Sequence, residues 1–251
     1  MITYISVVRD FTMYDRLVMH NPLNQGCQFI SYDNRIENLP IPVRYNAFLD
    51  SYDYNKESWL IFCHEDYEFL EPIAPYLESL DKTNLYGQVG AIRYGFAGFG
   101  MQTIIGNLFC IDREETLPIK PLGRRIQRMT RTETFDCCCL IVHSSLVKKF
   151  NLRFDEKLLF DFYVEDFCAT AFVSHGIKSY VLPIKACHHS TSEATERLFR
   201  HLPYLKEKFP KHCFVSTLVY FGTFTWKKRL QDAIMKFARP LLNRILARMR
   251  H

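Results

Sequence analysis

The sequence predicts an α/β fold in which a mostly parallel mixed sheet is flanked by helices and followed by a helical, basic C-terminal extension. Three observations predict it. A β-branched segment at residues 2–8, a helical pattern and a β-like segment at 27–32 follow one another, a strand–helix–strand unit that implies a parallel pair. An apolar strand at 59–63 runs straight into His64-Glu65-Asp66, which puts polar side chains at a strand's carboxyl end, where open α/β sheets bind ligands. From Trp226 to His251 the chain carries eight Lys or Arg against one Asp, with apolar residues at helical spacing.

The bulk numbers narrow the class. A length of 251 residues suits one large domain or a domain with an appendage. With 48% hydrophobic residues the chain can bury a core, which excludes disorder. The nine cysteines are an odd number without paired C-x-x-C spacing, as expected of free thiols in a reducing cytosol; a zinc site around Cys187 and His188 is the alternative. The charge of +5, less +7 in the tail, leaves −2 elsewhere. The main domain therefore carries no electrostatic signature of nucleic-acid binding. No apolar run of roughly 18 residues predicts a membrane span, and Arg9-Asp10 ends the first apolar segment too early for a signal peptide.

Taken in order, residues 12–20 form a helix that Asn21-Pro22 and Gln25-Gly26 break. The second strand ends at Asp33-Asn34, a pair that either accepts hydrogen bonds from a base or ribose or makes a turn. After Pro40 and Pro42 comes a helix at 45–54, whose Asn46 faces the ligand or caps the helix. A short helix at 72–80 opens on Pro72, and a strand covers 87–93. Gly95, Gly98, Gly100 and Gly106 mark an irregular region that lacks a phosphate-loop pattern. Lys120, Arg124, Arg125, Arg128 and Arg131 form either a solvated loop or a flap that neutralises a diphosphate.

Asp136 opens a strand at 135–142. Helices at 144–150 and 162–175 follow, the second ended by Gly176. A last strand at 179–186 runs into His188-His189-Ser190. Beyond it lie a polar helix at 193–208, an aromatic patch at 214–224, and a basic amphipathic pattern over 227–250, kinked at Pro240. That tail either packs on its own domain or lies in an anionic membrane surface.

The clusters permit one chemistry. A divalent ion that carries phosphates takes hard oxygen ligands, and imidazole as well when it is Mn²⁺; Asp66 and His188 offer both. Glu165-Asp166 falls in the first turn of a helix, where the dipole favours acids for structural reasons alone. The same placement lets one carboxylate deprotonate an acceptor hydroxyl while a metal-bound diphosphate leaves.

In this order the motifs resemble an inverting family-2 glycosyltransferase of GT-A (Rossmann-like) fold, of the bacterial branch with H-Q-D in place of D-x-D. Ile5 to Val8 match the first strand, Asp33-Asn34 the end of the second, and Tyr45-Asn46 the following helix. His64-Glu65-Asp66 matches H-Q-D, which implies Asp66 as metal ligand and His64 near the nucleotide. Val89-Gly90 matches the strand after the next helix, and Asp136 the aspartate of the acceptor-side strand. Tyr163-Val164-Glu165-Asp166 matches the motif whose aspartate is the catalytic base, and Gly176 and Lys178 match the G-x-K before the last strand. His188-His189-Ser190 matches H-x-S, which implies His188 as the second ligand of Mn²⁺ or Mg²⁺. Glu65 stands where Gln is usual, and Cys137 where glycine is common.

The resemblance covers residues 1–192 and leaves 193–251 as a separate helical extension. It implies a nucleotide-sugar donor of the UDP type, contacted by Val8, Asp33, Asn34, Asn46, His64, Glu65, Asp136, Glu165, Arg124 and Arg125. The acceptor is a saccharide or lipid-linked hydroxyl in cell-surface glycan synthesis. With residues 226–250 on an anionic membrane, the expected location is the cytoplasmic face of the cell membrane. Two competitors remain. A sugar-phosphate nucleotidyltransferase wants a glycine-rich loop where Arg9-Asp10-Phe11-Thr12 stands. A non-catalytic binding protein would hold nucleotide without turnover.

Overall fold

The computed structural model describes residues 1–94, 101–111, 120–190 and 196–223. β1 (Ile2–Val8) leads to α1 (Phe11–Tyr14), which the Asp10 carboxylate caps by accepting from Met13 N at 3.0 Å. The helix widens into a π turn over Asp15–Met19, where His20 N bonds Asp15 O. β2 (Gln28–Asp33) precedes α2 (Ile41–Ser51). α2 starts before the predicted residue 45 because Pro42 sits in its first turn, where a missing N–H leaves no bond unmade.

β3 (Trp59–Cys63) has the predicted bounds, and β4 (Tyr67–Phe69) follows; α3 (Ala74–Leu77) is one turn where the sequence predicts 72–80. The strand predicted at 87–93 divides between β5 (Leu85–Gly87) and β6 (Val89–Tyr94), which lie in different sheets. Regular ladders also enter the stretches read as irregular: β7 (Met101–Gly106), β8 (Leu108–Cys110), β9 (Lys120–Leu122) and β10 (Thr130–Thr132). Gly95, Gly98 and Gly100 lie outside the described residues. β11 (Thr134–Phe135), β12 (Cys139–His143) and α4 (Ser144–Phe150) come next. α5 (Tyr163–His175) ends on Gly176, whose φ of +70° suits glycine and whose N–H caps the last turn. β13 (Ser179–Val181), β14 (Ala186–His188), α6 (Glu196–Phe199), α7 (Leu202–Lys208) and a hairpin of β15 (Cys213–Val215) and β16 (Tyr220–Gly222) complete the order.

The main sheet has seven strands in the order β10-β13-β5-β12-β3-β1-β2. β1 pairs parallel with β2 and β3, and β13 with β5, while the ladders at β12 and β10 are antiparallel. It is a mixed sheet flanked by helices. Strand alternation splits the core cleanly. Ile5, Leu60, Phe62, Leu140 and Val142 pack under α2 and α5; Tyr4, Val8, Trp59, Ile61 and Ile141 pack under the α1 region.

This topology sets the site. β1, β2 and β3 run parallel, so Val8, Asp33 and His64 emerge at one end of the sheet. β12 runs the other way with Cys139 opposite Cys63, so its start, just after Asp136, lies at that same end. A smaller sheet, β4-β14-β8-β9, places His188 opposite Tyr67, and His189 N bonds Asp66 O at 2.8 Å.

Residues 196–223 do not form a core of their own. Leu198, Leu205, Phe209, Phe214 and Phe221 join the cluster that holds Phe162 and Phe167. The described residues 196–223 thus share a core with the residues before 190. Of the predicted polar helix 193–208, the described residues 196–208 hold two short helices, and the described part of the aromatic patch lies in the β15–β16 hairpin. The basic amphipathic segment 226–250 lies outside the described residues. Among the described residues no helix is long and apolar enough to cross a membrane.

Candidate active site

Three metal-capable side chains meet at the carboxyl end of the sheet. His64 Nδ1, Asp66 Oδ1 and His188 Nε2 all lie within 4.8 Å of one another. His188 Nε2 is 3.2 Å from Asp66 Oδ1 and 3.4 Å from His64 Nδ1, and His64 Nδ1 is 3.9 Å from Asp66 Oδ1. Glu65 and Asp66 form a turn after β3, with Tyr67 N bonded to His64 O at 3.4 Å, and this turn brings the Asp66 carboxylate beside His64. β14 brings His188 to them through its ladder with β4. Among the described residues no cysteine joins such a group, so the zinc alternative around Cys187 finds no support there.

The ring orientation of His64 follows from its other nitrogen. Nε2 lies 2.7 Å from the Tyr163 hydroxyl, and that hydroxyl donates to the Cys137 carbonyl at 2.9 Å. A hydroxyl has one proton, so both bonds form only if His64 Nε2–H donates to Tyr163. Nδ1 then presents a lone pair to the cluster, the tautomer that a metal ligand needs. At His188 burial opposes the charge, but the Asp66 bond and charge, helped by Asp136, prevail and raise its pKa.

Beside this cluster lies a cavity of about 160 Å³ lined by Val7, Arg9, Asn34, Ile41, His64, Glu65, Asp66 and Phe160. Glu65 turns to the end of β1, where its Oε2 accepts from the backbone N–H groups of Arg9 and Asp10. Val7, not the predicted Val8, faces the cavity; alternation turns Val8 into the core. The amide of Asn34 closes its own loop against Leu39, donating at 2.8 Å and accepting at 2.9 Å. Asp33 is half-exposed, and the Arg35 guanidinium bonded to it draws its pKa down to about 2.

Asn46 neither caps α2, which begins at Ile41, nor lines the cavity. It ties the helix to the 154–156 segment, accepting from Phe154 N and donating to Phe154 O and Glu156. Arg124 and Arg125 do not line the cavity either. Arg124 N bonds Ile104 O, and the Arg125 guanidinium lies over the Phe109 ring at 5.3 Å.

Three further carboxylates, Asp136, Glu165 and Asp166, are buried around the start of α5. Asp136 accepts from Cys138 N at 3.2 Å and from the Thr217 hydroxyl at 2.8 Å. Glu165 accepts from the Cys137 thiol at 2.9 Å, and burial together with the Asp136 charge pushes its pKa up to about 8. Burial pushes Asp166 to about 6 against the pull of Lys208, whose Nζ is 2.8 Å away. The turn before α5 carries two bulky residues at positive φ, Leu159 at 51° and Phe162 at 64°, a strain that folds retain where it positions a site.

The sequence places His64 near the nucleotide; the structure adds it to Asp66 and His188 as a third candidate ligand, brought there by the turn at Glu65-Asp66. Tyr163 was visible only as part of a motif. Lys208 and Thr217 left no local signal, because they reach the site from 42 and 81 residues away.

No protein-family model matches the sequence, and no curated protein matches it. Solved structures do. The chain is similar to A197 from STIV at 16% identity and a TM-score of 0.37, over 75% of this chain and 85% of that one. It is also similar to GalNAc-T7, a structure with UDP, GalNAc and Mn²⁺, at 9% identity and a TM-score of 0.46, over 82% of this chain. The match spans about half of that longer protein, 48%.

Proposed function

We propose that the chain is a metal-dependent glycosyltransferase of GT-A type that moves a sugar from a nucleotide-sugar donor to a hydroxyl with inversion. One observation carries this reading: His64, Asp66 and His188 converge beside a cavity at the carboxyl ends of parallel strands, and α5 opens nearby with two buried carboxylates. The donor nucleotide lies along the ends of β1 and β2, by Val7, Asn34 and Asp33. A divalent ion held by His64, Asp66 and His188 would offset the charge of the departing diphosphate. Two imidazoles beside one carboxylate suit Mn²⁺ better than Mg²⁺, which prefers an all-oxygen octahedron. Asp166 takes the acceptor proton. The basic 226–250 segment holds the enzyme at the cytoplasmic face of the membrane, and the acceptor belongs to a cell-surface glycan.

The test is a panel of UDP- and GDP-sugars assayed for nucleoside diphosphate release with Mn²⁺, with Mg²⁺ and with EDTA. Release is expected with Mn²⁺ and is expected to fall more than 100-fold in Asp66→Asn, since one of three ligands is lost. Equal release in EDTA would sink the metal assignment. The binding-protein alternative draws on the ion pairs that already occupy Asp33 and Asp166; it predicts that UDP and Mn²⁺ together raise the melting temperature with no release from any donor.

A further inference from the structure

Residues 196–223 lie outside the motif resemblance, yet α7 delivers an ammonium to the candidate base. Lys208 Nζ lies 2.8 Å from both Asp166 oxygens, donating to Oδ2, and 2.6 Å from Asp155 Oδ2. The Tyr204 hydroxyl donates to that same Asp155 oxygen at 2.6 Å. Asp166 is 1% exposed and Lys208 23%. The Thr170 hydroxyl, one turn along α5, acts with Lys208 to hold the Asp166 pKa down against burial.

We infer that Lys208 is a positioning residue for the transfer reaction, holding Asp166 ionised and oriented. The inference rests on the glycosyl-transfer reading. A buried carboxylate without a cation takes up a proton, and a protonated Asp166 cannot act as a base. One ammonium is shared by two carboxylates, so the cluster keeps a net negative charge and Asp166 keeps its basicity. α7 holds the ammonium in place through Leu205 and through Phe209, which with Phe214 and Phe221 packs toward Phe162, the residue before α5. The groups that act on Asp166 are Lys208 and Tyr204 from α7, Asp155, which caps the 3₁₀ turn Glu156–Leu158, and Thr170 and Cys168 on its own helix. Burial raises its pKa and Lys208 lowers it; loss of Lys208 therefore moves the pKa upward, and loss of Asp155 moves it downward.

The experiment measures transfer against pH in the full chain for wild type, Lys208→Met, Lys208→Arg and Asp155→Asn, each checked by circular dichroism. Lys208→Met is expected to lose about tenfold or more in kcat at pH 7, with donor KM within about twofold and the acid limb moved to higher pH. Lys208→Arg restores most of the rate. Asp155→Asn moves the limb the other way, a sign reversal that a merely structural contact does not produce, and it tests the inference even if Lys208→Met fails to fold. Limbs that coincide in wild type and both variants overturn it. If wild type transfers from no donor, the glycosyl-transfer reading fails by itself, and the Asp166 carboxyl is then titrated by carbon NMR. A pKa raised in Lys208→Met and lowered in Asp155→Asn supports the clamp; an unmoved one overturns it.

Discussion

The chain holds two of its candidate site aspartates in opposite ways. Asp33 closes β2 in half-exposed surroundings, where Arg35 draws its pKa down to about 2. Asp166 opens α5 out of solvent, where burial drives its pKa up to about 6 although Lys208 touches it. On the proposed reading this contrast divides two roles between a donor half and an acceptor half: Asp33 offers screened charge to a ligand that binds and leaves, and Asp166 the proton affinity that a base requires near its working pH.

The largest effect expected from this contrast comes from Asp166→Asn. Transfer should fall by about 10²–10⁴, the usual contribution of a positioned base, while UDP and Mn²⁺ binding stays within about twofold. The fold should move the other way. A carboxyl whose folded pKa is raised adds stability below its unfolded pKa of about 3.9, and that stability is lost as pH rises through about 6. The neutral amide escapes this loss, so the variant should match or exceed wild type by about 1–3 kcal/mol in denaturant melts at pH 8. Equal transfer by variant and wild type would remove Asp166 as the base and erase the contrast.

The two halves also differed in how far the sequence disclosed them. Trp59 to Cys63 is five buried residues in a row, and it runs straight into the His64-Glu65-Asp66 turn, so the cluster is adjacent to the strand in sequence. The strands of the donor half and Asp66 follow from such local patterns; His188 was legible only through the motif resemblance, since it arrives by the β14–β4 ladder. The acceptor half depends on contacts distant in sequence. Thr217 on Asp136 and Lys208 on Asp166 follow from how α7 and the β15–β16 hairpin dock, and no periodicity encodes docking. The same reason hid the shared core of residues 196–223, and the division of β5 from β6 at Gln88, where the chain passes between sheets.

A smaller effect is expected at the seam between the halves. Tyr163 begins the acceptor-side helix but orients a donor-side ligand, since its hydroxyl accepts from His64 Nε2 and donates to the Cys137 carbonyl. Tyr163→Phe removes that partner and frees the imidazole tautomer. Loss of such an orienting bond typically weakens metal affinity 10- to 100-fold, so the Mn²⁺ concentration for half-maximal activity should rise by about that much, with kcat recovered at saturating Mn²⁺. A kcat loss that Mn²⁺ cannot restore would assign Tyr163 to the acceptor reaction.

The smallest effect is expected at Asp33. Its ion pair with Arg35 is exposed on both sides, with side chains 45% and 59% accessible. A lowered carboxylate pKa adds stability at pH values above the unfolded pKa, and that stability disappears as pH falls toward about 2. At neutral pH the pair is fully ionised but screened by solvent and salt. Asp33→Asn should therefore leave the melting temperature at pH 7 nearly unchanged. If Asp33 meets the nucleotide, donor KM should rise a few-fold, more at low salt than at high, with kcat unaltered, because an interaction made equally in the ground and transition states moves KM alone. A fall in kcat at constant KM would mean that Asp33 acts on the transition state, and the division into a binding half and a proton-transfer half would no longer hold.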